Sequence, residues 1–204
     1  MALLVASMAL LAGCYPNDPT NVEQYDLVLT NYDSSFNFTN SKTFSLPDQV
    51  VVITGDKPDS TKPLTYVSEP YNTQILNSIS QNLSAKGWTE VGANDDPDMM
   101  LLPSAFQNTT ISYYYDYYYY WGGYYGGYYG WYYPGYYPVY YTSYTTGTLF
   151  VTMVDPNAVT PANELPVRWM FLVNGLLTGD YSATTIRIGN TIDQAFEQSP
   201  YLAK

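Results

Sequence analysis

Residues 147–154 read GTLFVTMV and residues 167–173 read VRWMFLV, and these two apolar runs determine the fold that the sequence predicts. Both have the length and composition of buried strands, and Asp155 to Pro166 between them has the composition of a loop. Further strands are predicted at 25–30 (YDLVLT), 43–46 (TFSL), 50–54 (VVVIT), 88–91 and 99–106 (MMLLPSAF). Pro103 predicts an edge position or a bulge for the last of these strands.

Two helices interrupt the strands. The first is predicted from Glu69 to Lys86, capped by Ser68, with an apolar stripe of residues spaced four apart and Gly87 as its stop. The second is predicted over residues 183–198. Runs of strands interrupted by two helices predict an α+β fold. We expect a mainly antiparallel sheet with both helices packed on one face and the other face open to a partner.

The N-terminus resembles a bacterial lipoprotein signal. Ala2 to Ala12 is an uncharged, mostly apolar run, too short to span a bilayer, and it ends in Leu11-Ala12-Gly13-Cys14. A lipobox implies lipid on the Cys14 thiol, with acyl chains such as palmitate, and cleavage after Gly13. No Lys or Arg precedes Leu3, unlike an ordinary signal n-region. The alternative to a lipobox is an ordinary apolar N-terminal strand or helix with a buried free cysteine.

The domain organisation follows from these segments. We expect a signal peptide at 1–13, a polar tether at 14–24 and one α+β domain at 25–204. With Cys14 as the single cysteine, the mature chain forms no internal disulfide. The net charge of −11 and the absence of basic residues between Lys86 and Arg168 argue against nucleic-acid binding. Histidine is also absent, which excludes Ser-His catalysis and histidine-bound metal.

A tyrosine-rich insertion lies within the domain. Residues 113–144, hereafter the tyrosine segment, hold 18 of the 25 tyrosines, and Tyr-Tyr doublets recur every four residues with Gly and Pro spacers. Tyrosine rings stack on sugars, peptides and one another, so the segment is a candidate binding surface. Its candidate residues are Tyr124, Tyr125, Tyr128, Tyr129, Trp131, Tyr132, Tyr133, Tyr136 and Tyr137. The alternative is a low-complexity insertion with no binding role.

Acidic side chains supply the remaining candidates for chemistry. Asp95, Asp96 and Asp98 have oxygen ligands for calcium, but their spacing lacks the rest of an EF-hand loop and favours a solvated turn. Asp26 with Asp33, or Asp155 with Glu164, are the carboxylate pairs that a glycoside hydrolase would need. No motif sets either pair at the required separation, and we predict neither a catalytic residue nor a metal or cofactor.

Several short motifs resemble the bacterial lipoproteins that carry the domain of unknown function 4136. The matching pieces include the lipobox, residues 36–46 (FNFTNSKTFSL), 86–88 (KGW), 97–101 (PDMML), 144–155 (YTTGTLFVTMVD) and 168–169 (RW). The resemblance implies a cell-envelope lipoprotein with an α+β domain and brings no catalytic residues.

These observations together predict a non-catalytic binding or scaffolding protein, lipid-anchored in the bacterial envelope, with the outer membrane favoured. Its expected partners are the membrane, through the anchor, and a glycan, peptidoglycan or an envelope protein. Two alternatives stay open. One is a self-associating or adhesive surface component, and the other is a carboxylate-dependent hydrolase of envelope polymers.

Overall fold

A computed structural model describes residues 27–53, 63–106, 130–132, 147–174, 176 and 181–204 of the chain. Eight strands and two helices lie in these ranges. The strands are β1 (Leu27–Tyr32), β2 (Thr43–Ser45), β3 (Val51–Ile53), β4 (Thr89–Glu90), β5 (Met99–Phe106), β6 (Gly130–Tyr132), β7 (Thr148–Val154) and β8 (Glu164–Asn174). The helices are α1 (Tyr71–Ala85) and α2 (Tyr181–Glu197). No helix within these ranges is long and apolar enough to cross a bilayer.

The sheet has the strand order β1-β8-β7-β5-β2-β4. β3 lies on the same side of β5 as β2 and pairs with the later residues of β5. The three long ladders, β1–β8, β8–β7 and β7–β5, are antiparallel, whereas β2 and β3 pair with β5 in parallel. β6 forms a separate short parallel ladder with the start of β8. The predicted α+β class, with a mainly antiparallel sheet, is therefore confirmed.

Both helices pack on one face of the sheet, as predicted. Alternate residues of the central strands, among them Leu101, Val151 and Phe171, point to this face. They join one buried cluster with Ile79 of α1 and Ile192 of α2. Because the side-chain period of a strand is two, the neighbouring residues in each strand point to the other face.

That other face is not open, and the expectation of an exposed sheet face is wrong. Leu102, Phe150 and Leu172 are buried there in a second apolar cluster, against which Leu64 and Val159 pack. β5, β7 and β8 are near-continuous apolar runs rather than alternating ones, a pattern typical of strands that are covered on both faces. A single-faced strand would instead alternate apolar with polar residues.

Pro103 lies inside the sheet, contrary to the prediction of an edge strand. β5 has β7 along one side, where Pro103 is opposite Val151. On its other side β2 pairs with residues 99–100 and β3 with residues 104–106. Pro103 therefore falls in the gap between two short parallel partners, which is where a strand residue without an N–H is tolerated. The ladder irregularity of this region lies instead in β7, between Met153 and Val154.

The start of α1 also differs from the prediction. The helix begins at Tyr71, and the Ser68 side chain makes no cap hydrogen bond to it. Glu69 takes that role, because its carboxylate accepts from the Thr73 N–H at 3.2 Å and the Asn72 side chain at 3.0 Å. Hydrogen bonding from the Thr73 side chain, then from the Asn72 side chain and least from the Thr73 backbone, lowers the pKa of Glu69. Gly87 ends the helix as predicted, with a φ of +91° that glycine adopts without strain.

The two ends of the sheet differ in what lies beside them. At one end β1 and β7 begin and β3, β5 and β8 end, and we call this the cavity end. At the opposite end the C-terminal residues seal the helix layer. Trp169 donates its indole N–H to the Ser199 hydroxyl at 2.8 Å, and Trp88 donates to the Leu202 carbonyl at 2.8 Å.

Candidate functional site

An apolar cavity of about 380 Å³ lies at the cavity end, between the sheet and the first turns of both helices. Its walls include Ala105 and Phe106 from β5, Leu149 from β7, Ile75 from α1 and Ile188 from α2. Binding sites for small molecules are typically ~300–1,000 Å³ and mainly apolar, with a few polar groups that set orientation. The size and lining of this cavity suit an apolar or aromatic group.

Polar groups occur around the apolar lining. The Tyr66 side chain is 40% exposed, and Thr65, Ser68 and Tyr71 lie beside it on the segment that leads into α1. The hydroxyl of Thr148 donates to the side-chain oxygen of Asn174 at 2.7 Å, which ties the start of β7 to the end of β8. The cavity therefore combines an apolar wall with hydroxyl-bearing side chains.

The tyrosine segment is inserted at this cavity. Phe106 is the last described residue of β5 before it, and Gly147 is the first described residue after it. Both line the cavity, and the Leu176 N–H donates to the Gly147 carbonyl at 3.3 Å. Gly147 has a φ of +89°, a conformation that favours glycine at this position. The insertion thus joins the domain at the wall of its cavity.

A buried ion cluster lies at the opposite end of the sheet. Arg168 of β8 donates to the Asp33 carboxylate at 2.7 Å and to one Asp155 oxygen at 3.0 and 3.2 Å. Asp33 is 1% exposed and Arg168 is 14% exposed, so the cluster is largely removed from water. The Phe36 ring covers the guanidinium, whose carbon is 4.6 Å from the ring centroid. We call Asp33, Asp155 and Arg168 the arginine cluster.

The arginine cluster brings together two carboxylates that the sequence places in different candidate pairs. Asp33 and Asp155 come from different predicted pairs, and both bind Arg168. Glu164 instead pairs with Thr160, whose backbone N–H donates to the Glu164 carbonyl at 2.9 Å to close the loop before β8. Asp26 lies outside the described residues. Among the described residues Asp155 and Glu164 thus have different partners, whereas the pair Asp26–Asp33 stays a prediction.

The acidic turn before β5 holds β2 in place. One Asp98 oxygen accepts from the backbone N–H groups of Lys42 and Thr43, at 2.6 and 2.9 Å, and from the Thr43 hydroxyl at 3.1 Å. Burial raises the pKa of Asp98, but these hydrogen bonds outweigh it and the net pKa is lowered. Asp95 accepts from the Gly92 N–H at 3.0 Å, while Asp96 is exposed. Within the described ranges no three acidic or cysteine side chains group as metal ligands.

Comparison with known proteins assigns the family. The model of the domain of unknown function DUF4136 matches residues 28–201. The chain belongs to the DUF4136 family. A crystal structure of a DUF4136 family protein from Bacteroides thetaiotaomicron is 31% identical, with a TM-score of 0.68 over 87% of this chain and 97% of that one. The predicted family resemblance is therefore confirmed.

Two further solved structures resemble the DUF4136 chain more distantly. A PelC dodecamer from Paraburkholderia phytofirmans has a TM-score of 0.39 at 10% identity, over 88% of this chain and 98% of that one. An uncharacterized protein has a TM-score of 0.33 at 11% identity, over 78% and 90% of the two chains. Similarity at this level carries no functional argument. No curated protein matches the chain.

Most site residues predicted for this DUF4136 protein lie outside the described residues. These are Cys14, Tyr124, Tyr125, Tyr128, Tyr129, Tyr133, Tyr136 and Tyr137. Trp131 and Tyr132 belong to β6, where Trp131 is opposite Leu165 and Tyr132 is opposite Pro166 of β8. Residues 130–132 of the tyrosine segment are thus extended and pair with the start of β8, at the end of the sheet that carries the arginine cluster.

The cavity has no signature in the amino-acid sequence. Its lining comes from β3, β5, β7, both helices and the segment before α1, which are separated along the chain. Each lining residue is an ordinary core or loop residue in its own segment, so no local pattern marks it. One feature of the sequence did point to this region. The tyrosine segment lies between two predicted strands, and if those strands are neighbours, both ends of the segment lie at the same end of the sheet.

Proposed function

We propose that this DUF4136 protein is lipid-anchored in the bacterial cell envelope and has a binding or scaffolding role rather than a catalytic one. The anchor is supported by the Leu11–Cys14 lipobox at the end of an apolar run. Several acyl chains on Cys14 hold a protein stably, whereas a single chain holds it only marginally. The outer membrane is the favoured address.

The observation that carries the binding role is the apolar cavity at the root of the tyrosine segment. Phe106 and Gly147 line the cavity and also flank the insertion. A partner held in the cavity would therefore lie close to the two positions where the described domain leads into and out of the insertion. Tyrosine surfaces bind sugars and peptides through ring faces and hydroxyl groups together. Glycan, peptidoglycan and an envelope protein are the partner classes that fit.

The carboxylates of the arginine cluster support a structural use of acidic residues. Asp33 and Asp155 are both hydrogen-bonded to Arg168, and Asp98 holds β2. A hydrolase of envelope polymers needs one carboxylate that donates a proton and a second, some ~5–9.5 Å away, that acts on the sugar or on water. Carboxylates bound to a guanidinium favour scaffolding over that chemistry, and the hydrolase is the less favoured function.

The binding role is tested by filling the cavity. Ala105 lines it and is partly buried, so Ala105→Phe places a ring in the space that a ligand group would occupy. Ala93→Phe is the matched control, because Ala93 is also partly buried but packs at the second cluster. The partners to offer are purified peptidoglycan sacculi, envelope polysaccharide and the immobilised protein itself.

We expect the original chain and Ala93→Phe to be retained by one of these partners, and Ala105→Phe to be retained several-fold less. Retention by the immobilised protein alone would select the self-associating alternative. Unchanged retention of Ala105→Phe, or no retention of the original chain, would contradict a binding role for the cavity. Thermal transitions of both variants check that each remains folded.

A further inference from the structure

We propose that the cavity end of the sheet faces the bilayer and contacts its surface, so that the domain has a fixed orientation on the membrane and its cavity receives a partner held at that surface. This inference rests on the proposed lipid anchor, and it adds the surface that meets the lipid. Three independent observations carry it: where the tether joins the fold, where apolar side chains are exposed, and where charge is placed.

The tether joins the domain at the cavity end. Residues 15–26 separate Cys14 from Leu27, the first residue of β1. Leu27 is opposite Asn174, the last residue of β8, and Asn174 is bonded to Thr148 at the edge of the cavity. A random-coil chain of this length has a root-mean-square span of about 20 Å. β8 alone runs ~35 Å to the opposite end at 3.3 Å per residue, so the cavity end is the nearer one.

Exposed apolar side chains concentrate at the same end. Among the described residues the exposed large hydrophobic side chains are Leu27, Tyr32, Tyr66 and Ile186. Leu27 begins β1, Tyr66 lines the cavity, and Ile186 lies in the second turn of α2, two residues before the cavity residue Ile188. Ile186 is 59% exposed, the largest fraction of the four. Apolar side chains and tyrosines of this kind insert at the boundary of headgroups and acyl chains.

The charged side chains favour the same orientation. The opposite end carries the arginine cluster, the acidic turn with Asp95 and Asp96, and the charged C-terminal Lys204. Near the cavity end the described carboxylates are Glu69, before α1, and Asp48, whose carbonyl binds the α1 residue Asn72. Anionic lipid headgroups repel carboxylates, and fewer of the described carboxylates lie near the cavity end than at the opposite end, where Lys42, Lys86 and Lys204 offset part of the negative charge. For the described residues, the cavity end therefore meets the bilayer at lower electrostatic cost.

The orientation is tested by crosslinking to lipid. A chain of residues 14–204 keeps every described element, and its Cys14 thiol is coupled to a maleimide phospholipid in vesicles of phosphatidylcholine with a minor share of phosphatidylglycerol. Because attachment is made chemically, the result does not depend on lipidation in the cell. The photoreactive residue p-benzoylphenylalanine replaces Tyr66 or Ile186 in turn. Tyr32 is the matched control, since it is 37% exposed against 40% for Tyr66 but lies at the opposite end.

We expect illumination to give several-fold more lipid adduct at positions 66 and 186 than at position 32, at low and at high salt. Equal adducts at positions 32 and 66, or no lipid adduct at 66 and 186, would overturn the proposed orientation. Protein–protein adducts at 66 and 186 in place of lipid adducts would also overturn it, and would make this end an interface between copies. None of these results changes the proposed lipid anchor, which is tested separately by replacing Cys14.

Discussion

Phe106 and Thr148 lie directly opposite each other in the β5–β7 ladder, although the whole tyrosine segment separates them in sequence. The two strands are antiparallel neighbours, and Leu149 is likewise opposite Ala105. A turn of a few residues is enough to join strands in this arrangement. The insertion is therefore topologically dispensable, because the ladder that it interrupts is already a hairpin.

Replacement of residues 113–144 by a short Gly-Ser linker should leave a folded domain. The described members of the buried cluster on the helix face all lie outside the segment, and loop-closure entropy changes slowly with loop length. We expect a single cooperative thermal transition, followed by circular dichroism. Loss of that transition would show that the tyrosine segment is part of the core. A linker of the same length as the segment is the control for loop length.

Arg168→Met should destabilise the domain strongly. The substitution leaves Asp33 and Asp155 without the guanidinium, and removing one partner of a buried ion pair costs roughly 3–5 kcal/mol. The 14% exposure of Arg168 places the expected loss near the lower value, at about 3 kcal/mol. Urea unfolding measures it. Adding Asp33→Asn and Asp155→Asn to Arg168→Met should recover part of the loss, since neutral amides are less costly to bury. No recovery would contradict the electrostatic explanation.

Asp98→Asn should lower stability at neutral pH and have little effect in acid. The folded-state pKa of Asp98 lies below its ordinary value of 3.8, so the unfolded chain binds more protons between the two values. The carboxylate contribution is therefore fully present above pH ~4 and is lost as the pH falls through the folded-state pKa. We expect a loss of about 1 kcal/mol at pH 7, because an amide oxygen replaces a charged acceptor.

The control for Asp98→Asn is Asp96→Asn. Asp96 is exposed and has a φ of +48°, which asparagine tolerates well. This variant should unfold at the same urea concentration as the original chain at both pH values. A difference between Asp98→Asn and the original chain that persists unchanged at pH 2 would contradict the linkage to Asp98 ionisation.

Local patterns predicted the elements of this fold and failed where tertiary context decides. Burial on both faces makes β5, β7 and β8 continuous apolar runs, and burial on one face gives α1 an apolar residue at every fourth position. Both patterns can be recognised in the sequence. The position of Pro103 cannot be, because the gap between β2 and β3 depends on how two distant strands end. The prediction of an open sheet face was wrong for a related reason. The continuous apolar runs that predict the strands also predict that both faces of those strands are buried.

The candidate site divides in the same way. The lipobox is a contiguous motif, so the sequence alone predicts it. The arginine cluster joins the ends of β1 and β7 to β8, and charge pairing over that distance leaves no local signature. The cavity depends on where six segments meet. A motif of adjacent residues can thus be recognised in a single sequence, whereas a site built from distant segments becomes visible only in the folded structure.

Cys14→Ser should abolish membrane attachment and signal removal. Only a thiol at this position carries a thioether-linked lipid, and Cys14 is the single cysteine of the chain. Fractionation of cells and the intact mass of the purified protein measure the outcome. The original chain should be recovered with the outer-membrane fraction and carry the mass of an acylated cysteine. A Cys14→Ser protein that stays with membranes and is still cleaved after Gly13 would disprove the anchor.

The tyrosine segment should bind its partner by stacking, with little dependence on salt. Asp116 is its one charged residue, so ionic screening has little to act on. An aromatic stack contributes ~0.5–1.5 kcal/mol, so removing one doublet, at about 1 kcal/mol, weakens binding roughly fivefold. Several doublets acting together give a weak but multivalent interaction.

Tyr→Ser changes at positions 124, 125, 128, 129, 132 and 133 should therefore weaken retention by peptidoglycan, polysaccharide or the protein itself in steps. Tyr32→Ser, outside the segment, should not. Binding that disappears in moderate salt is ionic, and binding that survives all six changes does not use these rings. Either result would contradict the stacking explanation and favour the alternative of a low-complexity insertion without a binding role.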